Sequence, residues 1–427
     1  MKNIKWVLRP ILLTVISLSL VASMTSCLWV RGGSGDYVTR DEIENLIDDA
    51  IDDTLDGEVV IENAPTYDIT IENNGNQNLV AAAKSVLSAV RVTANFKASY
   101  IHSSTSKQYS YGGAGVIYKL DKTSGDAYVI TNYHVIYDSK SNTRNHVSDD
   151  INLYLYGQES SAYAIPAKYV GGSMTMDLAV LKVSGSAVLA ASNAVAATVA
   201  DSNEVSILDT AIAIGNPASG GLSATVGCIN VDSEYIEITG ADGMSTIELR
   251  LFRIDTAVNN GNSGGGLFND RGELIGIVNA KMSSTTVDNI GYAIPSNIAK
   301  YVADNIIHYC DGTSFENPYK YKFGVTVESS ELYTVYDEKT GKVHKREVVK
   351  VADISAGSIG SEVFKVGDII KSITIDGVKY DINRSFILID CMYNIYADST
   401  VTVEVERDGQ TAVLEPKFSG RSADKVS

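Results

Sequence analysis

Three side chains, far apart in the chain, are of the types that together make an activated nucleophile. Ser263 lies in NNGNSGGGLF (Asn259–Phe268), where four of ten residues are glycine. A hydroxyl is inert at its own pKa, so such a loop carries chemistry only when a base, and a group that orients the base, come from elsewhere. His134 stands in VITNYHVI, at the end of an apolar strand where the chain would leave the core. The other four histidines, His102, His146, His308 and His344, read as structural or solvent-exposed. Asp177, in SMTMDLAVLKV, puts a carboxylate at the mouth of a buried strand. Standing alone it would be read as a turn-capping aspartate. With all three present, the imidazole would take the serine proton and later give it to a leaving amine, and the aspartate would fix the tautomer and stabilise the imidazolium. The glycines then have a use. Backbone N–H groups of the Gly261-Asn262-Ser263 turn, those of Gly261 and Ser263 above all, would point at a developing oxyanion, with Gly261 permitting the φ/ψ values required. Gly264 and Gly265 let the chain turn away without a Cβ crowding the substrate.

The elements that must position these groups read as strands. From about Val92 to Asp288 the chain is a series of short runs rich in Val, Ile and Tyr, broken by Gly, Asn, Asp and Ser: GGAGVIYKL, AYVITNYHVI, INLYLYG, DLAVLKV, TAIAIGNP, ATVGCINVD, IELRLFRID and ELIGIVNA. Closely spaced strands with few helices predict a mainly β sandwich or barrel, not alternating β-α units. Leu79–Val92 reads as a short helix entering a strand, and Ile298–His308 as a closing helix. GNSGG also satisfies the nucleophile elbow of α/β-hydrolases, but that motif needs a following helix and a downstream histidine. Here GLFNDRGELIGIV reads as strand, turn, strand. The segment YDSKSNTRNHVSDD after His134 reads as an inserted surface loop. DGTSFENPYK is a linker to a second β-rich segment, Tyr321–Phe418.

The 427 residues carry a net charge of −17, unevenly placed. Asp36–Glu72 holds 13 acidic residues against one basic (Arg40), a net of −12, so the remainder carries −5. No basic nucleic-acid footprint is present, and a nucleic-acid partner is excluded on that ground. Ile43, Leu46, Ile47, Ala50, Ile51 and Leu55 recur at helical spacing within the acidic stretch, which predicts an amphipathic helix in a solvated tether. At the start, Lys2, Lys5 and Arg9 precede the apolar run Ile11–Met24, too short for a comfortable membrane span. That run ends in MTSC, which resembles a bacterial lipoprotein cleavage site with Cys27 as the lipidated residue; plain secretion and an uncleaved anchor are the alternatives. Cys228, Cys310 and Cys391 are odd in number and lack metal-ligand spacing, so free thiols are expected.

The order His134, Asp177, Ser263 is that of the chymotrypsin-like triad. With TNYHVI, MDLAVLKV, IDTAVNNGNSGGGLFNDRGELIGIVNA, NIGYAIP and AIGNP followed by ATVGCI, the chain from about Val80 to Ile298 resembles the HtrA/Deg branch of the chymotrypsin-like serine proteases. The resemblance implies a double β-barrel fold and serine endopeptidase activity on unfolded or damaged extracytoplasmic proteins. It implies a homotrimer or a multiple of it, and no cofactor or metal. By motif alignment Ala257 would form the base of the primary specificity pocket, favouring small or apolar side chains, and Ile277, Val278, Asn279 and Ala280 would pair with the substrate backbone. Asn262 replaces the aspartate with which digestive proteases bind a new N-terminus, and Gly266 stands where family members often have proline. The C-terminal segment resembles a PDZ domain. AGSIGSEVFKVGDIIKSITIDGVKY matches the stretch from a ligand-flanking helix through a strand pair, and TVTVEVERDGQTAVLEPKF the last hairpin. Phe323, Gly324 and Val325 would offer N–H groups to a peptide C-terminus. The expected organisation is therefore a signal peptide (1–26), an acidic helical tether (27–78), a protease domain (79–310) and a PDZ-like domain (318–419). The product would be lipid-anchored through Cys27 on the extracytoplasmic side of a membrane. A dedicated signalling protease, or a catalytically weak chaperone on the same fold, shares most of these motifs.

Overall fold

The structure is a computed structural model, and it describes residues 82–98, 107–217, 220–279, 290–310, 317–418 and 423–426. The expected signal peptide with Cys27, the acidic tether, His102 and Ala280 lie outside these residues.

Twelve strands form two closed barrels. The first comprises β1 (Ala89–Ala98), β2 (Lys107–Asp121), β3 (Asp126–Thr131), β4 (Asp150–Leu155), β5 (Ile165–Ser173) and β6 (Leu178–Val183), in the order 1-2-3-6-5-4 and closed by pairing Val90 with Leu155. The second comprises β7 (Thr210–Gly215), β8 (Ser223–Thr239), β9 (Thr246–Ile254), β10 (Gly266–Phe268), β11 (Leu274–Val278) and β12 (Gly291–Pro295), closed by pairing Leu267 with Ala213. Its order, 7-8-9-12-11-10, repeats that of the first. This is the chymotrypsin-like double barrel, a mainly β fold.

Side-chain alternation explains the near-continuous apolar runs. On β6, Ala179 and Leu181 point into the first barrel with Val92 and Leu153, while Leu178 and Val180 point out of it. On β7, Ala211 and Ala213 fill the second barrel with Leu267 and Ile275, while Ile212 and Ile214 face outward. The outward residues of both strands meet in one layer with Phe268, Ile277 and the helix Ser296–Tyr309, which supplies Ile298, Val302 and Ile306. Each such strand is buried on both faces, so period-two alternation of polarity is lost.

The expected surface loop after His134 is only partly one. Ser139 and Lys140 are exposed, but Asp138, Ser141 and Val147 are buried, and Tyr137 bridges to Val147.

The C-terminal segment is a separate sheet of β14 (Val325–Asp337), β15 (Lys342–Ile354), β16 (Ile369–Ile375), β18 (Val401–Arg407) and β19 (Gln410–Leu414), with β17 (Val378–Asp381) paired to β16. The strand pair and last hairpin stand where expected. The helix does not: AGSIGSEVFKV forms a single 3-10 turn, Gly360–Glu362, and the domain's α-helix is Ser385–Cys391. Gly357 and Gly367 at positive φ break the first stretch, and the Gly360 N–H is drawn to the Phe323 carbonyl (2.6 Å). This domain sits on the second barrel through charged contacts. Arg250 of β9 pairs with buried Asp390 and stacks 3.9 Å over the Phe386 ring. Arg384 spans Asp232 (3.1 Å) and Glu347 (3.0 Å), and Lys342 reaches Asp209 (2.6 Å). Buried His344 bonds Ser206 Oγ (3.1 Å), a structural role as expected.

Candidate active site

Each candidate side chain leaves a different strand end. His134 lies on the short helical turn Tyr133–Ile136 that follows β3, and Asp177 on the tight turn joining β5 to β6. Asp177 has φ +49°, a left-handed conformation that aspartate tolerates better than most residues. Three hydrogen bonds hold it there: its N–H donates to the Met174 carbonyl (3.2 Å), and its carbonyl accepts from Tyr133 N (3.2 Å) and Asn132 Nδ2 (2.8 Å). The carboxylate is thereby aimed at His134, with Oδ2 2.7 Å from Nδ1 and Oδ1 accepting from the His134 backbone N–H (3.0 Å). One carboxylate fixes both the ring and the backbone of the histidine.

Ser263 follows β9 on the loop that enters β10, and with His134 it lines a cavity of about 410 Å³. Gly261, Tyr111, Tyr137 and Asp138 line the same cavity. Among the described residues no hydrogen bond joins Ser263 Oγ to the imidazole. The loop's curvature rests on Gly261 (φ +102°) and Gly264 (φ +80°), where a Cβ at Gly264 would strike Thr131 and the Ala114 carbonyl. Its carbonyls turn inward: Gly261 O accepts from Asn216 N (3.1 Å) and Ser263 O from Ala114 N (2.8 Å). Among the described residues neither the Gly261 nor the Ser263 N–H donates to a protein acceptor, which fits two donors aimed at an oxyanion. The Asn262 N–H does not fit, because it already donates to the Asn259 carbonyl (3.0 Å). The expected three-residue set therefore reduces to Gly261 and Ser263. Asn262 is instead buried, its Nδ2 donating to the Ala257 carbonyl (3.3 Å). At Gly266 a Cβ would overlap the Phe268 ring, so the residue in the usual proline position is small for a packing reason.

The expected substrate-pairing strand also needs correction. Ile277 is paired on both sides, to Gly266 and Ile294, and Val278 exchanges bonds with the serine loop: its N–H donates to Gly265 O (2.8 Å) and its carbonyl accepts from Gly264 N (3.0 Å). Their backbone groups are consumed within the barrel. Asn279, expected to touch substrate, donates its N–H to Tyr292 O (2.9 Å) and its side chain to Asp177 Oδ2 (2.9 Å). Ala257 is exposed and does not line the cavity at Ser263.

Asn132 was missed in the sequence. Fully buried, it donates Nδ2 to the Asp177 carbonyl and accepts from Gly264 N through Oδ1 (2.7 Å), tying the aspartate turn to the serine loop. The available signal was an amide at the end of each of two apolar runs, VITN and IVN, where a buried polar group must find partners.

In the C-terminal domain, Phe323 is buried and Gly324 has φ +71°, with its carbonyl accepting from Ser355 N (2.8 Å). Cys228, Cys310 and Cys391 are free thiols, and burial pushes the Cys391 thiol up.

Residues 113–277 match the trypsin-like peptidase domain family. The serine protease Do-like HtrA of Lactococcus lactis subsp. cremoris (strain MG1363) is 32% identical over 327 residues, covering 74% of this chain and 73% of the relative. This chain belongs to the HtrA-type serine proteases. The HtrA-type protein is accordingly a serine endopeptidase, a hydrolase of peptide bonds. The serine protease Do-like HtrB of Bacillus subtilis (strain 168) is 30% identical over 318 residues, covering 74% of this HtrA-type chain and 63% of the relative. An HtrA-type protease, AlgW, solved with a decapeptide aligns over 80% of this chain and 97% of that one, at 22% identity and a TM-score of 0.46.

Proposed function

We propose that Ser263 is the nucleophile of this HtrA-type endopeptidase, His134 its general base and then acid, and Asp177 the group that orients His134. The observation that carries this reading is the 2.7 Å contact between Asp177 Oδ2 and His134 Nδ1, with the imidazole and Ser263 on one cavity. A carboxylate on Nδ1 leaves Nε2 free to accept the serine proton. Substrate binding closes the gap between Oγ and the ring, as catalytic hydrogen bonds often tighten only in the bound complex. Attack on the scissile carbonyl forms a tetrahedral oxyanion, held by the N–H groups of Gly261 and Ser263. His134 then protonates the leaving amine, and water repeats the sequence on the acyl-enzyme. Asn279 and Asn132 act as positioning residues for Asp177 and for the serine loop.

The substrates are unfolded or damaged polypeptides outside the cytoplasm. Lipid at Cys27 holds the enzyme on the membrane, three copies form the basic unit, and residues 318–419 read peptide C-termini through Phe323, Gly324 and Val325. Support comes from the export-type N-terminus, the family and the positive φ of Gly324 next to an edge strand. Among the described residues no helix is long and apolar enough to cross a membrane. The test is digestion of reduced, unfolded protein beside its native form by the full chain. Preferential loss of the unfolded form is expected; equal resistance of both would overturn the quality-control role.

A further inference from the structure

Beyond the serine loop, the walls of the cavity beside Ser263 come from the start of β2 and from the chain just after His134. If His134 protonates the leaving amine, as proposed above, the residues after the scissile bond must pass along these walls.

The walls are built, and they are charged. Tyr111 is 41% exposed, and its ring packs against those of Phe96 (5.2 Å) and Tyr109 (5.7 Å). The hydroxyls of Tyr109 (2.6 Å) and Tyr111 (2.9 Å) both donate to Asp138 Oδ2, while Oδ1 accepts from Lys140 N (2.9 Å). Burial would raise the Asp138 carboxyl, but these hydrogen bonds hold it below the usual carboxylate range, so its charge is complete at neutral pH. The Tyr111 phenol is pushed up to about 12 by burial and by Asp138, and it remains a neutral donor. Tyr137, on the same wall, also feels the charge of Asp242 from the β8–β9 turn. Lys140, exposed and two residues on, is the cation that bears on Asp138. The result is one exposed aromatic ring, that of Tyr111, beside the buried Tyr137 and backed by a fixed anion.

We propose that Tyr111, Tyr137 and Asp138 form a leaving-group-side subsite that selects a lysine or arginine one or two residues after the scissile bond. A cation there lies over an aromatic face and within the field of a buried carboxylate. A carboxylate there meets like charge, so the subsite rejects acidic residues as well as attracting basic ones.

Matched internally quenched peptides, differing only in Lys, Ala or Glu at those two positions, give the test with the full chain. The expected ratio of kcat/KM for Lys over Glu is roughly tenfold, falling as salt is added. In Asp138→Asn the ratio falls toward one, and in Tyr111→Ala it falls part of the way. Because the readout is a ratio, loss of some folded protein in a variant cancels. A parent ratio near one, or a ratio unchanged in both variants, overturns the subsite while leaving the triad standing. Failure of the parent to cleave any peptide or to take a fluorophosphonate label overturns the triad reading and the subsite with it.

Discussion

At the residue scale the account rests on how one carboxylate is spent. Asp177 accepts from the His134 backbone, faces the His134 ring and accepts from Asn279, all within a turn held at positive φ. Replacing it with asparagine keeps the shape but presents an amide to the imidazole, which selects the wrong tautomer. Asp177→Asn should lower kcat by roughly 10⁴-fold, measured on a peptide substrate at saturating concentration. A loss below tenfold would mean that the histidine is oriented by something else. The candidate triad was legible from three different signals: His134 where an apolar strand ends, Asp177 where one begins, and Ser263 within a glycine-rich loop. Asn132 was not, because an asparagine one residue beyond a strand carries no signature until its partners are known. The roles expected of Ile277 and Val278 failed for a related reason: residue type does not reveal whether a strand's backbone groups are already paired.

At the element scale, the helix Ser296–Tyr309 ties both barrels together, and one carboxylate on it fastens the first. Asp304 receives hydrogen bonds from Tyr118 (2.8 Å), Lys119 (2.8 Å) and Lys300 (2.8 Å). Burial would raise its carboxyl, but the two lysines hold it below its ordinary value. A lowered folded-state pKa contributes stability above the unfolded value and loses it as pH falls through the folded one. Asp304→Asn should therefore lower Tm by about 2–4 °C at pH 7, and the difference should close below about pH 4. A deficit that persists at low pH would show packing, not charge, to be responsible. The helix was plain in the sequence from its length and periodicity. The α-helix of the C-terminal domain was misplaced, because SFILID is a short apolar run that reads equally as strand, whereas AGSIGSEVF has helix-like composition but glycines that break it.

At the scale of the molecule, two barrels share one strand order, yet no sequence repeat marks it. What recurs is the pairing pattern and not the residues, so the strand pattern alone predicted a sandwich or barrel, and the double barrel was expected only through the family resemblance. The seat of the C-terminal domain was equally hidden, since Arg250 and Asp390 are 140 positions apart. Burial raises the Asp390 carboxyl against the pull of Arg250, so removing the arginine strands a buried charge. Arg250→Ala should cost about 3–5 kcal/mol at neutral pH, read from urea unfolding. With a raised folded-state pKa the cost shrinks as pH falls and Asp390 takes up a proton. A cost that does not vary with pH would place the effect in lost stacking on Phe386. The central claim is that this chain is a protease whose nucleophile is Ser263. It is tested most directly by fluorophosphonate labelling and casein cleavage of the full chain beside Ser263→Ala. The account predicts labelling and cleavage in the parent, no labelling in the variant, and turnover there lower by roughly 10⁴–10⁶-fold. Labelling that survives in Ser263→Ala, or cleavage within tenfold of the parent, would contradict it.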